Sequence, residues 1–332
     1  MKNRVIHTGQ AIVDLVMEVG RIPEPGGDTF ARRYEFTAGG GFNVMSAAAR
    51  DGAEVLYAGG HGTGPFGDTV RAAMTAAGIT VLAPVNSVRD TGFCVALVDD
   101  SAERTFVSTL GAEGDVTAEN YRKASPRPGD VVYMSGYSLL HHASRDALLE
   151  WLPELPTDTT VVVDPSPIVE EIPANVLRNV IRHTSIWSTN TREAMNTARL
   201  LGSPIPSNMD LAGQAVHLAQ LLACSIVLRA GAEGAATVEW SRESQTIQAT
   251  SYTPALTVEA IDTNGAGDSH CGVLCAALAA GSDIATAVQR ANISSGLAVS
   301  RRGPATSPTT AEINALLPAA MGSIPDKLHS TV

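Results

Sequence analysis

The sequence predicts an α/β protein: a doubly wound, mostly parallel sheet flanked by helices, with a small β-sheet lid set into it. Three observations carry this reading. Short apolar runs alternate with alanine-rich helical stretches, the pattern of a parallel sheet with helical crossovers. The rhythm breaks once, at two strand-like runs around Asp99-Asp100-Ser101, a hairpin signature. Glycine clusters at Gly39-Gly40-Gly41 and Gly265-Ala266-Gly267 each open a helical stretch of small residues.

In order along the chain, residues 5–6 and 11–17 read as one buried strand interrupted by Gly9. Residues 23–28 are turn-rich, and 29–36 read as an exposed or edge strand. The first glycine cluster leads into a helix over 43–51, then a strand at 55–58 and a helix at 68–77. The hairpin comprises 92–98 and 104–109; with 29–36 it makes a small sheet apart from the main one. Further strands are expected at 131–135, 160–163, 185–188, 225–228 and 235–239, and helices at 210–222, 266–280 and 311–317. The expected organisation is one domain over 1–332, with the lid formed by about 12–37 and 90–110.

Of the 332 residues, 44% are hydrophobic and 17% charged, enough apolar material for a substantial core. The formal net charge of -11 argues against a nucleic-acid partner, which calls for a basic surface. No apolar stretch is long enough to cross a bilayer, so no membrane partner is expected. The N-terminal apolar run contains Asp14 and is followed by no small-residue cleavage site, so it reads as a strand rather than a signal peptide. Cys94, Cys224, Cys271 and Cys275 form no CxxC pair and no zinc-site spacing. A soluble, cytoplasmic protein is the expectation.

The strongest chemical signal is Asp262-Thr-Asn-Gly-Ala-Gly-Asp268. Glycines at a helix start let the backbone approach a ligand, and the unpaired first-turn amides and helix dipole stabilise an anion there. Asp268 in that first turn is placed to take a proton from an attacking hydroxyl; alternatively it only complements the helix N-terminus. A second pattern, Gly62-Thr-Gly64-Pro-Phe-Gly67, fits GxGxxG after a strand. It contains Pro65 and lacks an acidic residue near position 85, so a dinucleotide site is disfavoured. Lysine occurs only at positions 2, 123 and 327, none in a Walker A loop, so bound phosphates would fall to backbone amides and arginines.

The Asp262 to Asp268 run resembles the C-terminal signature of the ribokinase-like, or PfkB, carbohydrate kinases, with Asn264 in place of the usual threonine. Ala38-Gly-Gly-Gly-Phe-Asn43 resembles the N-terminal signature. Between and beyond them, Gly9 with Asp14, Thr91-Gly92, Glu103-Arg104-Thr-Phe106, Asp164-Pro165, Asn190-Thr-Arg-Glu193, Arg229-Ala-Gly231-Ala-Glu-Gly234 and Ser300-Arg-Arg-Gly303 match further family elements in order. The resemblance covers nearly the whole chain and points to an uncharacterised bacterial sugar-kinase branch.

The resemblance implies roles. Asp268 is the catalytic base, with Gly265, Ala266 and Gly267 forming the anion hole. Asp14, Gly39, Gly40, Gly41, Asn43 and Arg104 belong to the substrate site, although Asn43 also reads as a helix cap and Asp14 as a sheet-end polar residue. Asn190, Arg229, Gly231, Gly234 and Asn292 belong to ATP; Arg229 and Asn292 read equally as surface residues. Glu193 organises Mg²⁺ indirectly, and Asp262 with Asn264 offers a site for a monovalent cation such as K⁺. A homodimer through the lid follows from the sheet's exposed face. The implied function is phosphorylation of a hydroxyl on a small sugar, a non-phosphorylated one favoured, then a nucleoside, then a sugar phosphate held by Arg32, Arg33 or Arg104. An NAD-dependent oxidoreductase using residues 62–67, or a non-catalytic sugar-binding regulator, are the rivals from other classes.

Overall fold

The computed structural model describes residues 3–101 and 104–321, with side chains to 317; Glu103 lies outside the described residues. Nine strands form the main sheet: β1 (Arg4–His7), β4 (Glu54–Tyr57), β5 (Thr80–Val81), β8 (Val131–Ser135), β9 (Thr160–Asp164), β10 (Ile186–Asn190), β11 (Ser225–Arg229), β12 (Ala235–Ser241) and β13 (Thr246–Thr253), in the order β13-β12-β11-β10-β9-β8-β1-β4-β5. Pairings from β5 across to β11 are parallel, and β12 and β13 are added antiparallel at one edge. Alternate residues of the central strands feed two buried clusters. Ile6, Val132, Val163, Trp187 and Ile226 enter one, and Val5, Tyr133, Val162, Ile186 and Val227 the other. This is why these strands read as continuous apolar runs: both faces of the sheet are covered.

The second sheet has the order β3-β2-β6-β7, from β2 (Ala11–Glu18), β3 (Arg33–Gly40), β6 (Phe93–Val98) and β7 (Arg104–Ser108). The structure departs from two expectations. The run from residue 5 to 17 is two strands in two sheets, because Gly9 and Gln10 carry the chain from the core into the lid. The strand expected at 29–36 lies later, at Arg33–Gly40. Its ladder with β2 runs to Ala11↔Gly40, and the glycines extend it beyond the polar stretch that reads as strand in sequence.

Two helices fix the site. The Gly41–Arg50 and Ala266–Ala279 helices are packed together, and a Cβ on Gly272 would lie 2.3 Å from the Val44 carbonyl oxygen. Small residues on both helices therefore permit a close approach that larger ones would block. The approach sets the two glycine clusters at one end of the molecule, at the carboxyl ends of the parallel strands. Open α/β sheets bind ligands there.

Candidate active site

A cavity of about 670 Å³ opens between the carboxyl ends of the main sheet and the lid. Gly265, Ala266, Gly267 and Asp268 line it, as do Asp14, Gly40, Gly41 and Asn43 on the lid side, and Asn190, Glu193, Arg229, Gly231, Gly234 and Asn292 on the other.

Gly265 is the N-cap of the Ala266–Ala279 helix with φ +75°, and a Cβ on it would lie 2.1 Å from the Pro304 carbonyl oxygen. Both facts demand glycine. Asp268 is the third residue of that helix, and Asn43 Nδ2 donates to its Oδ2 at 3.0 Å. Burial pushes the Asp268 carboxyl up to about 6; the Asn43 bond opposes that rise and the Asp164 charge adds to it. Burial, then the Asp268 charge, raises Asp14 to about 6 as well. The Asp14 carboxylate lies against Gly39, where a Cβ would stand 1.9 Å from Oδ2, so this glycine makes room for the acid rather than facing the cavity itself. Asn43 is not a helix cap: Gly40, at φ +58°, holds that position.

On the opposite wall, Asn190 caps the Thr191–Leu200 helix. Its side chain accepts from the Glu193 amide, and Glu193 Oε2 accepts from the Asn190 amide at 2.9 Å. The helix-start reading of this pair and its place in the cavity are thus the same fact. Arg229 is no surface residue. Its Nη2 meets Asp164 Oδ2 at 2.9 Å and stands 3.6 Å from Glu193 Oε2, while Nη1 donates to the Gly267 carbonyl at 3.2 Å. Gly231 (φ +58°) and Gly234 (φ +94°) form the turn after β11. Asn292 is buried rather than superficial: its Nδ2 donates to the Thr253 and Pro254 carbonyls, and its Oδ1 meets His270 Nε2 at 3.1 Å.

Arg104, expected in the substrate site, does not line the cavity. It pairs with Asp262 at 2.5 Å, tying the lid to the glycine turn. Asp262 Oδ1 also accepts from the Asn264 amide, and Oδ2 from the Gly303 amide. The Asp262 carboxylate therefore takes an arginine and two amides, and Asn264 lines the cavity.

The chemistry of the acidic residues fits Mg²⁺ carried in with a nucleotide. Asp164 and Glu193 share one guanidinium, and burial followed by the Asp164 charge raises the Glu193 carboxyl. Among the described residues no three His, Cys, Asp or Glu side chains converge to cage a metal alone, so phosphate oxygens and water would supply the remaining ligands.

Sequence reasoning missed three residues. Glu113 is buried and receives the Gly92 and Gly111 amides at 2.8 Å each, clamping the two roots of the hairpin. His7, at the end of β1, and His270, two residues past Asp268, are both buried and line the cavity. A histidine inside an apolar strand was the available signal for the first. The GxGxxG stretch is occupied by the protein itself: Pro65 starts the Pro65–Ala76 helix, and Asp90 accepts from the Phe66 and Gly67 amides at 3.1 and 2.8 Å. A carboxylate seated on that helix start leaves no place for a pyrophosphate.

Residues 2–311 match the model of the pfkB family carbohydrate kinases. The chain belongs to this family. It is 30% identical over 313 residues to an uncharacterised sugar kinase of Escherichia coli, YegV, covering 94% of this chain and 93% of that one. It is also 24% identical to the ribokinase of Bacillus subtilis over 313 residues, 93% of this chain and 97% of that one. Ribokinase from Thermotoga maritima superposes with a TM-score of 0.79 at 19% identity, over 96% of this chain and all of that one. Ribokinase from Cryptococcus neoformans in complex with ADP superposes with 0.77 at 21%, covering 95% of this chain and 99% of that one. The pfkB fold thus comprises the main sheet and its lid, and membership makes the chain a carbohydrate kinase rather than an oxidoreductase.

Proposed function

We propose that this pfkB kinase transfers the γ-phosphoryl group of ATP to a hydroxyl of a small non-phosphorylated sugar, with Asp268 as the base. The observation that carries the reading is the Asn43–Asp268 hydrogen bond. It joins the sugar-side and phosphate-side glycine turns at one carboxylate whose raised pKa suits proton acceptance near neutral pH.

In the reaction, the sugar hydroxyl gives its proton to Asp268 as its oxygen attacks the γ-phosphorus. The bond from that phosphorus to the bridging oxygen breaks, and ADP leaves with the electron pair. The first-turn amides of the Ala266–Ala279 helix have no intrahelical acceptors and stabilise the charge that develops on the transferring group. Mg²⁺, bound with the nucleotide beside Glu193, would neutralise charge on the β- and γ-phosphates. Arg229, held by Asp164, adds fixed positive charge beside the anion hole. The lid excludes water, the competing nucleophile.

The preference for an uncharged sugar rests on the three arginines considered for a sugar phosphate. Arg32 pairs with Asp100, Arg33 with Glu35 and Arg104 with Asp262, and none of them lines the cavity. A homodimer through the lid is part of this proposal, supported by Tyr34, Phe36 and Val107, which share one face of the lid at 67, 50 and 63% exposure. A cytoplasmic site of action agrees with four free cysteines, all buried. Among the described residues no helix is long and apolar enough to cross a membrane.

The test is ADP release from ATP and Mg²⁺ across sugars, sugar phosphates and nucleosides. Turnover concentrated on unmodified sugars is expected; turnover confined to nucleosides or sugar phosphates would overturn the substrate assignment, and none at all the activity.

A further inference from the structure

Five of the twelve buried side-chain polar atoms that have no partner among the described residues belong to residues lining the cavity. Three of these surround the first glycine turn: His7 Nε2, Gln10 Nε2 and Asn43 Oδ1. An orphaned buried polar atom costs free energy, so orphans gathered on one cavity wall point to a partner that arrives from outside.

His7 is the most constrained of them. It is wholly buried at the end of β1, stacked on Tyr133 with ring centroids 5.1 Å apart and tilted against Tyr57 at 6.1 Å. The Gly9 amide donates to its Nδ1 at 3.1 Å. Burial pushes its pKa down to about 3, so the ring is neutral and carries a single proton. With Nδ1 accepting, that proton must sit on Nε2. His7 therefore presents a fixed, uncharged donor. Gly41 stands directly beside it: a Cβ there would lie 2.3 Å from Cε1 and 2.8 Å from Nε2. Only glycine at this position lets the ring sit directly behind the cavity wall that Gly41 lines.

We propose that His7 is a specificity-determining residue of the sugar site, its Nε2–H donating to an oxygen of the bound sugar. The inference rests on the kinase reading and deepens it. Donors on His7 and Gln10, set with acceptors on Asn43 and Asp14, match an array of hydroxyl groups, each of which both accepts and donates. A neutral donor selects an uncharged oxygen, a hydroxyl or a carbonyl, and penalises a substrate with a bare methylene there.

The experiment combines a series of monodeoxy analogues of the sugar that is turned over with His7→Phe, which keeps an aromatic ring against Tyr133. In the wild type, one deoxy position should lower kcat/KM by about ten- to a hundredfold, the effect of leaving a buried donor unpaired. In His7→Phe that one penalty should vanish while the penalties at other positions persist, and the parent sugar's KM should rise by a similar factor. Wild-type protein labelled with ¹⁵N at histidine gives a readout independent of the variant's folding: the His7 Nε2–H resonance should shift on adding the sugar without nucleotide. Unchanged deoxy penalties in His7→Phe, or a His7 resonance indifferent to a sugar that is turned over, would overturn the role of His7 and leave the kinase standing. A wild type that neither binds nor turns over any sugar would overturn both.

Discussion

Asn43 Nδ2 lies 3.0 Å from Asp268 Oδ2, a hydrogen bond across 225 residues of sequence that holds this carboxylate and favours its charged form. Replacing Asn43 by alanine removes that preference. The acid limb of kcat/KM should move to higher pH, and kcat at neutral pH should fall about tenfold or more, the range for a bond to a charged group. A pH–rate profile of Asn43→Ala checks this; a limb that stays in place would count against the contact's role.

The wild-type profile itself is a second test. Asp268 and Asp14 both ionise near 6, each raised by burial. With Asp268 as the proposed base, activity needs its ionised form, so kcat/KM should be level above about pH 7 and fall as pH drops through 6. The Asp268 charge also raises Asp14, so the limb reports the pair, with a slope between one and two.

The same shift predicts stability. The folded-state pKa of Asp268 lies above the ordinary carboxylate value of 3.8, so its ionisation favours the unfolded chain. That penalty is absent below about pH 4, grows as pH rises through 6, and is complete above it. Asp268→Asn should therefore raise Tm by about 2 °C or more at pH 8, on the scale of 1 kcal/mol. At pH 4 it should change Tm little. Thermal melts at the two pH values decide it.

Gly39→Ala should act through Asp14, whose Oδ2 stands 1.9 Å from the added Cβ. Displacing that carboxylate by an ångström should cost about a hundredfold in kcat/KM for the sugar, while the KM for ATP changes far less. Equal effects on both substrates would point to general damage.

Arg104→Ala cuts the ion pair between the lid and the glycine turn. Both side chains are partly exposed, so the pair is worth at most about 1 kcal/mol. The sugar KM should rise by up to about fivefold, with Tm nearly unchanged. An unchanged KM would show that the pair does not hold the lid.

The main sheet was legible because its strands are buried on both faces and read as unbroken apolar runs; β8 is found at the expected residues, and its neighbours within one or two. β13 was missed: its polar, exposed edge carries no apolar periodicity. β3 was misplaced because its last residues are glycines, which pair by backbone alone. At the site, the glycine clusters announce themselves, since close approach and positive φ leave few other residues possible. Partners are not local, and pattern cannot supply them. Arg104 offered no sign that it would meet Asp262, 158 residues away, rather than a ligand. His7 gains its setting only when the fold places Gly9, Gly41 and Tyr133 around it.

The central claim is that Asp268 takes the proton. The most direct measurement is kcat for the preferred sugar in Asp268→Asn, with sugar and ATP binding measured alongside by calorimetry. A loss of at least about a hundredfold in kcat is expected, with both ligands still bound. Near wild-type turnover in that variant would contradict it.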